Sequence, residues 1–428
     1  MELRAPYWTG LIPLLLILQL LFPNPVWMAL LVGMGGVWLI AYLWVRSLSR
    51  NLHLMREMRY GWAQVGDRLE ERFTLSNTGW VPALWVEISD HSTLPDYNVS
   101  QVTAIGSSTK NSWKTSQVCN QRGLFLLGPT RLRTGDPLGL FSATIDVPGS
   151  TVLMVMPPVV PLPSIEIVPA GRAGDGRRAR PDPLERTVST SGVRPHQTGD
   201  PLRWIHWPTS ARHQQLYLRN FDSTPTSDWW IFLDLERQAQ MGEGWDSTEE
   251  HGVILAASLA DRGLRAGRAV GLAATAEHFI WLPPKRTVSQ RMEILRALAL
   301  ARPGHTTLAS LLDSARPALH RGASLIVITP ARRGEWLESL YSYTRAHLNP
   351  TVLVFDPVSY GEKDGELPQV QSTLNSLGIT PYIIHRELLE RPEARPGHAG
   401  EWQWFVTGLG RAIPLHKPSN LGWKKVGG

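Results

Sequence analysis

The chain has 428 residues, a formal net charge of +6 and a single cysteine, Cys119. That length suits two or three domains and is too long for one ordinary domain. One cysteine excludes an internal disulfide, and a modest charge with no long Lys/Arg block argues against a nucleic-acid surface.

Between Arg4 and Arg46 there is no Asp, Glu, Lys, Arg or His, a run long enough for two bilayer crossings and too long for one. Pro23-Asn24-Pro25 divides it. The pattern predicts a short first helix from Tyr7 to Phe22 and a full-length second from Val26 to Val45, with tyrosine and tryptophan rings near the ends where headgroups lie. Arg4 precedes the run, and Arg46, Arg50, Arg56 and Arg59 follow it against the single acid Glu57. The positive-inside rule then places both flanks in the cytoplasm. Residues 1–60 are expected to form a two-helix transmembrane hairpin in a multi-pass cell-membrane protein, with the lipid bilayer as a partner and the soluble domains cytoplasmic. A cleaved signal peptide is the rival for the first segment, but a second apolar segment follows it and no small-x-small cleavage site does.

From about Gly61 the apolar period becomes two, as in Leu69-Glu70-Glu71-Arg72-Phe73-Thr74-Leu75. Such alternation marks half-buried strands. With Gly-Pro and Asp-Pro turns between runs, residues 61–156 are expected to form a small antiparallel β-sandwich. Residues 157–190, rich in Pro, Gly and Arg, read as a linker.

Ser191 to Arg219 is the densest concentration of unusual residues, with Asp200, four arginines, three histidines and two tryptophans. Gly199 permits a turn, Asp200 can cap a short helix and Pro201 suits its first position. Asp200 and Arg203 stand close enough to pair, with Arg212 a further candidate. Two readings stay open: a clamp that locks the segment onto the sheet behind it with its tryptophans packed, or a site for a partner's carboxylate or phosphate. A third is weighed because Asp200, His206 and Ser210 carry the side-chain types of a hydrolase triad, with His206 and Ser210 on one face if the segment is helical. Against it, triads draw on separate elements and no Gly-x-Ser-x-Gly elbow occurs.

Beyond Asp228, short continuous apolar runs alternate with amphipathic helical patterns, which implies a mostly parallel sheet covered on both faces. Ser247 with Glu250 forms a capping box at one helix start. No phosphate-binding glycine loop and no paired Cys/His set appears, so no cofactor is expected.

Gly192-x-Arg194, Gly199-Asp200, Arg203-x-Ile205-His206-Trp207 and Ser210-Ala211-Arg212 together resemble the signature of the domain-of-unknown-function 58 family, with His196 where that family has a tyrosine. The likeness extends to the Arg122-to-Phe141 stretch and to the hairpin ahead of a β region. It implies that residues 191–428 hold the signature segment and a doubly wound domain similar to von Willebrand factor type A. In such domains Asp-x-Ser-x-Ser binds a divalent cation; here the positions read Asp234-x-Glu236-x-Gln238, without either hydroxyl. A metal at Asp234 is therefore a weak candidate, with Thr306 or Thr307 as a further oxygen. The expected fold class is α/β plus all-β. The resemblance also implies a MoxR-type AAA+ ATPase as partner, and the expected function is a non-enzymatic membrane-anchored scaffold or adaptor. Arg194, Gly199, Asp200, Arg203, His206, Trp207, Ser210 and Arg212 are its clamp or partner-binding residues. The alternatives are a hydrolase centred on Asp200, His206 and Ser210, or a cation-dependent module at Asp234.

Overall fold

In the computed structural model the charge-free run follows a two-residue strand, β1 (Glu2–Leu3), and folds as two helices, α1 (Tyr7–Leu21) and α2 (Pro25–Asn51). The structure describes residues 2–4, 7–59, 61–160, 162, 165–168, 190–195, 205–221, 228–319, 323–330, 334–346, 348, 350–362, 367–388, 403–406, 412–416 and 424–425. It divides into two units, Met1–Met156 with Pro392–Gly428, and Pro157–Arg391.

The chain turns into α2 at Asn24, whose side chain accepts the Val26 amide at 2.9 Å, with Pro25 at the first position where its missing N–H costs nothing. Among the described residues only α2 is long and apolar enough to cross a membrane, with a mean hydropathy of 2.0; α1 is shorter. The last part of the second predicted segment, Val26 to Val45, packs on protein. Ala41 and Val45 are buried in a cluster with Leu140, Phe141 and Ala143, and Leu48 is buried further along the helix.

After the helices, strand pairing resumes directly at Leu52, ahead of the visible change of pattern at Gly61. The first unit holds β2 (Leu52–Met58), β3 (Trp62–Gln64), β4 (Arg68–Asn77), β5 (Ala83–Asp90), β6 (Gln101–Ile105), β7 (Thr109–Val118), β8 (Gly123–Leu127), β9 (Thr130–Gly135), β10 (Phe141–Val147) and β11 (Thr151–Met156). They form a five-stranded sheet in the order β1-β10-β9-β5-β6, a three-stranded sheet β3-β11-β8, and a four-stranded sheet in which Lys424–Lys425, β2, β4 and β7 lie side by side. Lys424 and Lys425 pair with Met58 and Glu57. The last residues thus belong with the first unit, whereas the sequence reading carried the α/β domain to 428. A two-lysine edge strand has no apolar period to betray it.

Arg56 departs furthest from expectation. Read from sequence as a cationic flank, it is 4% exposed on β2, facing inward with Leu52, Leu54 and Met58. Its guanidinium grips Glu71 through two bonds of 2.8 and 2.7 Å, reaches Asp90 at 2.8 Å and Ser92 at 3.1 Å, and lies 5.1 Å from the centre of the Phe73 ring. Tyr97 donates its hydroxyl to the same Glu71 carboxylate. Burial pulls the Arg56 pKa down, but Glu71 and then Asp90 hold it above the ordinary arginine range. Three strands, β2, β4 and β5, are thereby joined by one buried charge network.

Cys119 is also buried here, and burial, with the Asp67 charge beside it, pushes its thiol up to about 12. A thiol that holds its proton and is closed to solvent is a poor nucleophile. Maleimide at pH 8 is expected to leave the native protein unlabelled and to react fully once urea unfolds this unit. Prompt labelling without denaturant would contradict the packing.

The first regular element described in the second unit is an antiparallel ribbon, β12 (Thr190–Pro195) and β13 (Tyr217–Phe221), with the short helix α3 (Trp207–His213) between its strands in sequence. Next come β14 (Asp228–Leu233), α4 (Thr248–Arg265), β15 (Val270–Ala274), β16 (Ile280–Lys285), α5 (Val288–Leu300), α6 (Leu308–Ala315), β17 (Ala323–Thr329), α7 (Trp336–Arg345), β18 (Thr351–Phe355), α8 (Leu367–Ser376) and β19 (Tyr382–Ile384). The sheet order is β16-β15-β14-β17-β18-β19, parallel except for the antiparallel edge strand β16. Counted from β14 this is 3-2-1-4-5-6, the doubly wound order, with its switch point beside the first strand. The four central strands are buried along their length apart from Asp228 at the start of β14, which is why they read as continuous apolar runs. Trp230, Phe232, Val327 and Val352 pack with Leu311, Leu340 and Leu374 of the helices on one face. On α4, capped by Ser247 through the Glu250 amide at 3.2 Å, a Cβ at Gly263 would lie 2.6 Å from the Trp229 ring, so only glycine admits this close crossing.

Candidate functional site

The signature segment supplies the first candidate surface. Gly199, Asp200 and Arg203 lie outside the described residues, as does the side chain of Arg194. His206 caps α3, its Nδ1 2.8 Å from the Thr209 hydroxyl and accepting the Thr209 amide at 3.3 Å. Ser210, buried, donates its hydroxyl to the His206 carbonyl at 3.0 Å and accepts the Tyr217 amide at 2.8 Å. The His206 amide in turn donates to the Tyr217 carbonyl at 2.7 Å. Helix α3 is thus pinned to β13 by a closed set of short bonds.

Two expectations change. His206 and Ser210 do share a helical turn, but the serine hydroxyl meets the backbone carbonyl of residue 206 and the imidazole meets Thr209, so this pair is not arranged as nucleophile and base. Trp207, expected to be packed, is 66% exposed, and Arg212 is exposed as well. Among the described residues the ribbon forms its own two-stranded sheet, separate from the six-stranded sheet. Val193 and Leu216 add two more exposed apolar side chains.

The second candidate lies where doubly wound sheets place ligands, beyond the carboxyl ends of the strands at the switch point. Asp234 follows β14 there, in a pocket lined by Glu236, Gln238, Thr307, Thr329 and Trp336. Its Oδ2 accepts the Thr329 hydroxyl at 2.7 Å, and its Oδ1 accepts the Glu236 amide at 3.1 Å and the Thr275 hydroxyl at 3.4 Å. Thr275 directly follows β15 on one side of β14, and Thr329 ends β17 on the other. Gln240 braces the loop through the Asp234 and Glu236 carbonyls. Burial raises the Asp234 pKa to about 6, opposed by the hydrogen bonds from Thr329, the Glu236 amide and Thr275 and reinforced by the Glu236 charge.

This donor set does not fit the octahedral cation site that the resemblance implied. Such a site needs several oxygens with lone pairs turned to one point. Here both carboxylate oxygens face protein hydrogens, Thr307 accepts the Ser310 amide as the cap of α6, and among the described residues no three His, Cys, Asp or Glu side chains converge. Thr329 stands at the end of β17 and ties itself to Asp234, a substitution that sequence spacing could suggest only after the strand order was known.

Residues 192–374 match a family described as protein of unknown function DUF58. The uncharacterized protein YeaD of Bacillus subtilis (strain 168) is 25% identical over 264 residues, which cover 59% of this chain and 63% of YeaD, so the match spans less than two thirds of that relative. Among solved structures, the SpRpn10 VWA domain aligns with 40% of this chain and 98% of its own at 9% identity, with a TM-score of 0.28. A CARDB domain from Pyrococcus furiosus aligns with 24% of this chain and 94% of its own at 9% identity, with a TM-score of 0.19.

Proposed function

We propose that this protein is a non-enzymatic, membrane-anchored adaptor. In this reading α1 and α2 form a transmembrane hairpin, the first unit is a β-sandwich, and the second is a type A-like domain in the cytoplasm that grips a protein partner through its ribbon. The partner implied by the sequence resemblance is a MoxR-type AAA+ ATPase. One observation carries the proposal: Trp207 is held out to solvent by a helix whose own polar groups, His206, Thr209 and Ser210, are spent on keeping it in place. Tryptophan and arginine dominate the energetic centres of protein interfaces, so Trp207 and Arg212 are the anchors expected here.

Crosslinking in native membranes with nucleotide present, followed by mass spectrometry, should recover the ATPase. Trp207→Ala should weaken its binding roughly 30-fold or more, the effect of losing a hot spot worth about 2 kcal/mol, without changing thermal stability. Recovery of no ATPase, or unaltered binding by the Trp207 variant, would overturn the reading.

A further inference from the structure

The junction between the apolar helices and the first unit fixes how deep those helices can reach. Phe141, at the start of β10, packs edge-on against Trp38 and Tyr42 of α2, with ring centres 5.4 and 5.9 Å apart. The Arg4 amide, just ahead of α1, donates to the Leu140 carbonyl at 2.9 Å, and β1 pairs with β10. Both helices are therefore held by one strand at the same level, near Ala41. Beyond it α1 has 15 residues, about 22 Å at 1.5 Å per residue, and residues 25–40 of α2 give about 24 Å. A hydrocarbon core is about 30 Å thick. Each arm is about 6–8 Å short of it, a mismatch that local thinning of the bilayer accommodates and that brings the protein at the base directly against the lipid.

At that base the turn between β9 and β10 is built to present an apolar tip. The buried Asp136 carboxylate accepts the amides of Leu138, Leu140 and Phe141 at 2.8, 3.2 and 2.6 Å, and Gly139 takes a positive φ of 72°. These bonds fix the loop and leave Leu138 64% exposed, three residues ahead of Phe141, where the strand that grips the helices begins. Cations stand on the segments that β10 holds: the Arg4 guanidinium lies 6.0 Å from the Trp85 ring, and Arg46 lies 5.8 Å from the Tyr42 ring and donates to its hydroxyl at 3.1 Å. An apolar tip with arginines and amphipathic rings matches the headgroup layer of an anionic bilayer. The helices held at this base expose Leu20, Leu39, Ile40 and Leu43 as well.

We propose that the β9–β10 turn is a membrane-docking loop: Leu138 enters the headgroup layer of an anionic phospholipid bilayer and seats the edge of the first unit against the membrane. This deepens the anchor reading and rests on it. The test uses the full chain in nanodiscs of phosphatidylcholine and phosphatidylglycerol, carrying one environment-sensitive nitrobenzoxadiazole probe at a time at Leu138→Cys, Leu20→Cys or Ser150→Cys, with buried Cys119 left in place. Ser150 follows β10 at its other end, about 20 Å from the turn at 3.3 Å per residue.

Residue 138 should give blue-shifted emission, quenched several-fold by a lipid carrying a nitroxide near its headgroup. Residue 20 should report deep lipid and residue 150 water. A water-like signal at 138 with lipid at 20 overturns the docking loop and leaves the anchor standing. Water at 20 removes both proposals, and lipid at 150 as well as 138 overturns the edge-on placement.

Discussion

Arg56→Met is expected to destabilise the first unit by about 3–5 kcal/mol, the cost of leaving a buried charge without its counterion. The substitution strands Glu71, whose carboxylate is wholly buried, and Asp90, one of whose oxygens already has no hydrogen-bond partner. The methionine fills most of the space, so the loss is electrostatic and not a cavity effect. The labelling rate of Cys119 in mild urea reads out this unit alone, and it should rise steeply in the variant. Arg131→Ala, which breaks an exposed pair with Asp146, should leave that rate nearly unchanged. Adding Glu71→Leu to Arg56→Met should recover part of the loss, because removing both partners spares the orphaned charge. Wild-type labelling kinetics in the Arg56 variant would mean that the network contributes nothing to stability.

Asp234→Asn is expected to stabilise the second unit at pH 7 by up to about 3 kcal/mol. The ordinary carboxyl value is 3.8 and the folded value about 6, so the native state binds the proton more tightly than the unfolded chain does. With about 1.4 kcal/mol per pKa unit, the stabilising contribution is complete below pH 3.8 and is lost as pH rises through 6. Wild-type stability should therefore fall between pH 4 and 6 by this group's share, and the asparagine variant should lack that fall. The Thr275 and Thr329 hydroxyls can turn to accept from the new amide, so the site need not lose its bonds. Hydrogen exchange at the amides of the adjoining strand β14, Asp228–Leu233, measured in urea, reads the difference. A less stable variant at pH 7 would show that the bonds to the carboxylate outweigh its burial. A carboxylate kept at the switch point against its own desolvation is the trade found where binding competes with stability.

The alternation of apolar runs and amphipathic helices beyond Asp228 was enough to anticipate a parallel sheet, because strands buried on both faces must be apolar throughout. Ser247 and Glu250 announced a helix start that the structure keeps. Asp234 could be placed at a strand's carboxyl end, since that depends on local order alone. The apolar helices could be located but not measured, because the part of α2 that packs on protein is as greasy as the part that does not.

What the amino-acid order determined by itself is whatever depends on neighbours along the chain: helix and strand period, caps, turns and the uncharged run. Tertiary structure alone decided that Arg56 is a buried counterion instead of a cationic flank, that Ser210 pins backbone while Trp207 faces solvent, and that Thr329 bonds Asp234 from 95 residues away. The reason is physical. A charge or hydroxyl has the same chemistry at every position, and only the groups that folding brings within about 3 Å decide whether it is solvated, paired or poised.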